Sequence, residues 1–87
     1  MKVTKRNGTV VVYDDEKIIR SILRANADTL SEQLSEKSAA YIAGAVFARL
    51  SSQEEIISTN DVREHVYSML LEKGYPLTAK NYMEFRK

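Results

Sequence analysis

The chain contains no cysteine and no tryptophan, and it has one proline, three glycines and one histidine. Without cysteine it forms no disulfide, thiolate zinc site, iron–sulfur cluster or cysteine nucleophile. Its longest apolar stretches, such as residues 41–50, are interrupted by Gly44 and Arg49 and fall short of the roughly 20 residues that span a bilayer. No basic and apolar leader opens the sequence. We therefore expect a soluble cytoplasmic protein that does not associate with membranes.

Residue types that serve most active sites are also sparse. His65 lies in the middle of a predicted helix, and the carboxylate pairs Asp14-Asp15 and Glu54-Glu55 are sequence neighbours whose side chains point apart on a helix. The sequence contains no nucleophile-elbow, zinc-protease or P-loop motif. We expect no catalytic residues, no metal site and no enzymatic activity of the chain itself.

The length and composition are those of one small globular domain spanning residues 1–87. Apolar residues make up 44% of the 87 positions and charged residues 29%. Such a chain buries roughly 60–65% of the surface that its unfolded form exposes, which permits a thin core. The 13 basic and 12 acidic residues leave a net charge of +1. That balance argues against nucleic acid as a partner on bulk charge alone.

The N-terminal segment predicts a β-hairpin. Residues 1–4 and 10–13 have strand character, and Asn7-Gly8 between them is typical of a two-residue type I′ turn. A short β-branched segment at residues 56–58 predicts a third strand.

Four helices are expected in the rest of the chain. Asp14 or Asp15 is expected to cap the first helix, Ser35 the second, and Thr59, Asn60 or Asp61 the third. Gly74 should end the third helix, and Pro76 suits the first turn of the fourth. The expected core-facing residues are Ile18, Ile19, Ile22, Leu23 and Ala27; Ala39, Ile42, Ala43, Val46, Phe47 and Leu50; Val62, Val66, Met69 and Leu70; and Leu77, Tyr82 and Phe85. The predicted fold class is α+β, a hairpin or three-stranded sheet packed on about four helices.

Several basic residues are placed where an anion could bind. Lys5 and Arg6 are neighbours in a predicted strand and should point to opposite faces. Lys17 lies in the first turn of the first helix, and Thr59 lies where a helix start offers free N–H groups. Arg86 and Lys87 end the sequence. The spacing alone is compatible with two interpretations. These residues form a phosphate site, or Thr59 only caps a helix and the lysines are solvated, as lysines on a protein surface commonly are.

Four collinear motifs resemble the ATP-cone. They are V-T-K-R-N-G at residues 3–8, D-x-x-K-I at 14–18, S-T-N-D-V at 58–62, and the final tyrosine followed by F-R-K at 85–87. The ATP-cone is a nucleotide-binding regulatory domain found at the N-terminus of ribonucleotide reductases, especially of the anaerobic and class I types. It also occurs in the zinc-ribbon transcriptional repressor of reductase genes.

The resemblance implies a set of nucleotide-binding residues. Lys5 and Arg6 would lie over the triphosphate, with Gly8 letting the hairpin fold back as a lid. Asp14 and Lys17 would read the adenine. Val3 would have its backbone near the base, and Thr59 and Lys87 would contact phosphates. Val11 falls where some members carry an acid that touches the base, and Arg63 falls where some carry histidine.

The resemblance also implies a function. ATP or dATP, with Mg²⁺, would act as an allosteric ligand that controls the overall activity of a ribonucleotide reductase, whose catalytic domain or subunit would be the partner. Conformational and oligomeric change, including homo-oligomers through the helical faces, would carry the signal. The alternative is a nucleotide-sensing or DNA-associated accessory module of a transcriptional regulator.

Overall fold

The computed structural model of the chain describes residues 1–53 and 57–84. Within these ranges the elements follow the order β1, β2, α1, α2, β3, α3, α4. Their bounds are β1 Lys2–Thr4, β2 Val10–Val12, α1 Asp15–Asn26, α2 Glu36–Ser51, β3 Ile57–Ser58, α3 Thr59–Glu72 and α4 Pro76–Glu84. The predicted α+β class, with a three-stranded sheet on four helices, is confirmed. No helix of the described ranges is long and apolar enough to cross a membrane.

The sheet is mixed and has β1 at its centre. The strand order is β2-β1-β3, with β2 antiparallel and β3 parallel to β1. Val3 therefore lies between Val11 of β2 and Ile57 of β3. A parallel pair needs a long crossover connection, and here α1 and α2 supply it. The third strand is confirmed, although Ile56, its expected first residue, lies outside the described residues.

The hairpin turn differs from the predicted type I′ turn. Gly8 has φ +87°, but no residue other than glycine has a positive φ in the described chain, so Asn7 does not adopt the conformation that a type I′ turn requires. Instead the Gly8 N–H donates to the Lys5 carbonyl, and Lys5 N and Thr9 O close the loop at 2.7 Å. Asn7 Oδ1 accepts from the Thr9 N–H, which fixes a wider loop. Lys5 and Arg6 thus belong to this loop, and the expectation that they lie in a strand is wrong.

The first two helix caps are those expected. The Asp14 side chain accepts from the N–H groups of Glu16 and Lys17, and the Ser35 side chain accepts from the Ser38 N–H. Both caps satisfy donors that a helix start leaves without intrahelical acceptors.

The cap of the third helix lies one residue before the first of the expected caps. Ser58 Oγ accepts from the Asp61 N–H at 3.1 Å, and Asp61 Oδ2 accepts from the Ser58 N–H at 2.9 Å. This reciprocal capping box makes Ser58 the cap and places Thr59 in the first turn. At the other end, Gly74 has φ +89° and ends α3 as predicted. Pro76 is the first residue of α4, also as predicted.

The core lies between the sheet and the four helices. All four predicted core residues of α3 are buried, as are those of α2 except Phe47, whose exposed fraction is 38%. Of the five core residues predicted for the first helix only Ile22 is fully buried, while Ile18, Ile19 and Leu23 are partly buried and Ala27 is exposed. Ala25, which was not predicted, is fully buried as well. Leu77 is 50% exposed, so its expected core contact is wrong; Thr78 and Ala79 are buried in its place. Phe85 lies outside the described residues.

A polar cluster that the sequence did not reveal ties α4 to the end of α1. Asn26 Nδ2 lies 2.6 Å from the Glu32 carbonyl oxygen and 2.9 Å from Thr78 Oγ1. The Glu32 carboxylate accepts from the Leu77 N–H and from both the N–H and the hydroxyl of Thr78, each at 2.8 Å. Glu32 therefore caps α4 from a distant loop.

This cap should make stability depend on pH. Partial burial opposes ionisation of Glu32, but the hydrogen bonds from Leu77 and Thr78 prevail and lower its pKa. A lowered carboxyl pKa contributes stability that is complete above the unfolded-state value of about 4.3 and is lost as pH falls through the folded-state value. Between pH 6 and pH 3 we expect the unfolding free energy of the wild type to fall more than that of Glu32→Gln, measured by urea denaturation. Equal losses in the two proteins would contradict the role of this carboxylate.

Candidate functional site

A cavity of about 610 Å³ opens between the sheet, the starts of α1 and α3, and the end of α4. The residues of its wall come from the hairpin, α1, α3 and α4, and none comes from α2. They are Val3, Lys5, Val11, Val12, Tyr13, Asp14, Lys17, Ile18, Ser21, Arg24, Thr59, Val62, Arg63 and Tyr82.

Seven of the ten residues predicted to bind nucleotide lie on this wall: Val3, Lys5, Val11, Asp14, Lys17, Thr59 and Arg63. Arg6 and Gly8 are in the hairpin loop but are not part of the wall. Lys87 lies outside the described residues. The structure thus brings residues 3–17 and residues 59–63 together at one cavity, while their individual roles stay predictions.

Sheet pairing explains why Lys5 and Thr59 share the cavity. Thr4 is in register with Ser58 of the parallel strand β3. Beyond this pair the backbone continues from β1 to Lys5 of the hairpin loop and from β3 to Thr59 of α3, in the same direction. Because Thr59 opens α3, the cavity receives the positive end of that helix dipole.

Helical spacing places a second group of residues on the wall. Asp14 caps α1, and Lys17, Ser21 and Arg24 follow it at intervals that keep them on one helical face. Sequence reasoning selected Lys17 but missed Ser21 and Arg24. Continuing the helical period from Lys17 would have found both.

Positive charge is concentrated at the cavity. Its wall carries four basic side chains, Lys5, Lys17, Arg24 and Arg63, and one carboxylate, Asp14. Within residues 1–53 and 57–84 the one salt bridge joins Arg49 to Glu72, so none of these four basic groups is paired with a carboxylate there. A nearly neutral chain therefore directs a surplus of uncompensated cations toward one cavity, as an anionic ligand requires.

Arg63 also links two helices. Its Nη2 donates to the Met83 carbonyl of α4 at 3.0 Å. Its Nε is buried and has no hydrogen-bond partner within the described residues. Since a buried donor without an acceptor costs free energy, an oxygen supplied by a ligand would satisfy this group.

Apolar and aromatic side chains form the rest of the wall. Tyr13 is buried, donates its hydroxyl hydrogen bond to the Ala43 carbonyl at 2.9 Å, and packs its ring 5.4 Å from that of Phe47. Burial, aided by the negative charge of Asp15, raises the pKa of Tyr13 far above its ordinary value, so the phenol is neutral. With Val3, Ile18 and Val62 beside it, the wall offers apolar surface to a flat ring as well as charge to an anion.

A cavity that combines apolar surface with cations that have no carboxylate partner among the described residues is suited to binding an anionic ligand that carries a ring. Comparison with protein families identifies the ATP cone domain, which matches residues 1–87. The chain belongs to the ATP-cone family, whose members are nucleotide-binding allosteric regulatory domains. A search of curated proteins finds no match to this chain.

Proposed function

We propose that the chain is a single regulatory domain that binds ATP and dATP in this cavity and controls the overall activity of a cytoplasmic ribonucleotide reductase. The observation that carries the proposal is the set of four basic side chains, free of carboxylate partners within the described residues, on the wall of one cavity. A triphosphate carries about three to four negative charges and needs several cations together with oriented N–H donors. Family membership supports the nucleotide as the source of these charges.

The phosphates are assigned to the end of the cavity formed by Lys5, Thr59 and Arg63. Lys5 and Thr59 lie next to each other through the register of the sheet, and Arg63 follows Thr59 by one helical turn. Backbone N–H groups at the start of α3 add donors of the kind that bind phosphate. We assign the phosphates to Arg6, Gly8 and Lys87 as well. The hairpin loop, which contains Arg6 and Gly8, would fold over the phosphates as a lid.

The adenine is assigned to the start of α1 and the sheet. Asp14 Oδ1 is engaged by the N–H groups of Glu16 and Lys17, which leaves Oδ2 to accept from the exocyclic amine of the base. Lys17 provides a donor on the same turn. Val3 has its backbone between two strands, so its contribution is apolar contact, and Val11 contributes in the same way.

Mg²⁺ is proposed to enter with the nucleotide. No cluster of three or more His, Asp or Glu side chains in the described part of the chain could hold a metal by itself. Mg²⁺ keeps much of its water shell and binds phosphate oxygens in nucleotide sites, so the bound triphosphate and water would supply its ligands.

Discrimination between ATP and dATP would regulate the partner enzyme. The two ligands differ by one 2′-hydroxyl, and a buried hydrogen bond to such a group shifts affinity by about 1–3 kcal/mol. Allosteric coupling free energies have the same size, about 1–3 kcal/mol. The bound nucleotide would therefore select between conformations that contact the catalytic domain or subunit, or other copies of the chain, in different ways.

Calorimetric titration of the chain with Mg-ATP and Mg-dATP tests the proposal. We expect both nucleotides to bind, and we expect Lys5→Ala to weaken binding at least tenfold, about 1.4 kcal/mol. Arg6→Ala removes the same charge from the neighbouring position outside the cavity wall and should weaken binding less. Absence of binding at millimolar nucleotide would refute the proposal, and an unchanged affinity of Lys5→Ala would refute the assignment of Lys5 to the phosphates.

A further inference from the structure

The hairpin loop places an asparagine directly before a glycine at an exposed position. Residues 5–9 are all exposed, and Asn7 is followed by Gly8, whose φ is +87°. A Cβ added to Gly8 would meet no atom within 4 Å, so the space beside its backbone is open. Glycine has no side chain to shield its own nitrogen, and its backbone changes conformation readily. The Gly8 nitrogen is therefore accessible to the asparagine side chain that precedes it.

A hydrogen bond holds the Asn7 side chain against the loop backbone. Its Oδ1 accepts from the Thr9 N–H at 3.0 Å. A bond of this kind folds the carboxamide back over the peptide group that follows the asparagine. It also aims a backbone donor at the oxygen that becomes negative when a nucleophile attacks the carboxamide carbon. The loop thus presents a polarised carboxamide to the Gly8 nitrogen.

We propose that Asn7 is a site of spontaneous deamidation, for which the loop itself supplies the nucleophile. The Gly8 nitrogen loses its proton to hydroxide and attacks Cγ of Asn7. The N–Cγ bond forms, and the Cγ–Nδ2 bond breaks as ammonia leaves with a proton taken from water. Water then opens the five-membered succinimide. Opening at Cγ gives aspartate, and opening at the main-chain carbonyl carbon gives isoaspartate, whose backbone is longer by one methylene group; nothing is oxidised or reduced.

One contact of the loop opposes this reaction and two charges favour it. The Gly8 N–H donates to the Lys5 carbonyl at 3.0 Å, and this bond must open before the nitrogen can attack. Because the bond lies in an exposed loop, its opening costs little free energy. The side chains of Lys5 and Arg6 give the loop positive charge, which favours the anionic form of the nitrogen.

The other three asparagines of the chain lie in helices, where the backbone is held in a conformation that does not permit the attack. They are Asn26 in α1, Asn60 in α3 and Asn81 in α4. Reaction at any of them requires the helix to open locally. Asn60 is exposed as Asn7 is, so comparison of these two separates the effect of the loop from that of exposure.

Deamidation changes the charge of the hairpin loop. Aspartate and isoaspartate are ionised at neutral pH, so the net charge of the chain falls from +1 to zero. The new carboxylate adjoins Arg6, in the loop assigned to close over the phosphates, and would repel a triphosphate. Nucleotide affinity would then fall as the protein ages. This consequence rests on the proposed function, whereas the reaction itself does not.

Peptide mapping by mass spectrometry during incubation of the chain at neutral pH tests the reaction. Cleavage after lysine releases residues 6–17, which contain no asparagine or glutamine other than Asn7. We expect deamidation at least tenfold faster at Asn7 than at Asn60, a barrier lower by about 1.4 kcal/mol or more. The rate at Asn7 should rise with pH, because the attacking nitrogen must lose its proton.

The same mapping in guanidinium chloride tests the contribution of the folded loop. Unfolding should accelerate the reaction at Asn60, whereas the rate at Asn7 should rise by less than about fivefold, because its loop already permits the attack. A larger rise at Asn7 would show that the folded loop protects it and would overturn the proposal. A difference of less than tenfold between the two sites in the folded chain would overturn it as well.

Calorimetry on the separated products tests the consequence for binding. Ion exchange separates the deamidated chain from the unmodified one by charge. We expect the isoaspartate form to bind Mg-ATP at least about threefold more weakly, the size of an effect screened by salt. Asn7→Gln is the control, since its longer side chain closes a six-membered ring far more slowly, and its affinity should not fall during the same incubation. Equal affinities of the isoaspartate and unmodified forms would overturn this consequence, whereas an unmodified chain that binds no nucleotide would overturn the proposed function instead.

Discussion

Lys17→Glu is expected to weaken ATP binding about a hundredfold, close to 3 kcal/mol, without weakening the fold. Lys17 lies on the cavity wall and has no carboxylate partner within the described residues. The substitution removes a charge-assisted hydrogen bond worth about 1.5–3 kcal/mol and adds repulsion between glutamate and the ligand. Stability should hold or rise slightly, because an acidic residue in the first turn of α1 suits the helix dipole.

Calorimetry with ATP, beside thermal melting of the free protein, separates these two effects. Lys37→Glu is the matched control: it makes the same charge change in the first turn of another helix, α2, outside the cavity wall. Its effect on affinity should stay within about threefold, the size of a long-range effect screened by salt. Similar losses in both variants would show that net charge, and not the position of Lys17, governs binding.

Asn26→Ala is expected to destabilise the protein by about 3 kcal/mol, a large part of the 5–15 kcal/mol typical of a domain. Asn26 Nδ2 lies within hydrogen-bond distance of Thr29 Oγ1, the Glu32 carbonyl and Thr78 Oγ1, and its Oδ1 accepts from the Leu34 N–H at 3.3 Å. Alanine would leave these partly buried groups unsatisfied. For a chain of this length the melting temperature should fall by about 12–24 °C.

Asn60→Ala provides the comparison for this substitution. Asn60 is exposed, and its Nδ2 donates to Glu64 Oε1 at 3.3 Å on the surface of α3. An exposed pair of this kind on one helix contributes about 0.2–0.5 kcal/mol, so the melting temperature should change little. If calorimetric melting shows equal shifts for the two variants, the cluster around Asn26 does not hold α1 and α4 together.

Elements with strong local signals could be predicted from the sequence. The caps at Asp14 and Ser35 and the stop at Gly74 depend on residues within a few positions, so they can be found without knowledge of the fold. The cap of α3 was placed too late because Ser58 was counted as part of a strand. In the structure it belongs to β3 and caps α3 at the same time.

Features that depend on distant contacts could not be predicted in the same way. The Asn7-Gly8 pair is compatible with more than one type of hairpin loop. Which type forms is known only from the hydrogen bond between Lys5 N and Thr9 O. Nothing near Glu32 in the sequence indicates that it caps α4, because the N–H groups it binds belong to Leu77 and Thr78. The candidate site follows the same division. The motifs indicated Lys17 and Thr59, and the helical period extends to Arg24, whereas the position of Tyr82 on the wall depends on how α4 packs.

The parallel pairing of β1 with β3 has a consequence for biosynthesis. The first strand gains its central position in the sheet only when Ile57 pairs with Val3, and the wall of the cavity is closed by Tyr82 of the last helix. A nascent chain on the ribosome can complete its hairpin and α1 early, since their contacts are local. It acquires a complete cavity only after residue 82 has emerged, so nucleotide can stabilise the finished domain but cannot guide the earlier steps of its folding.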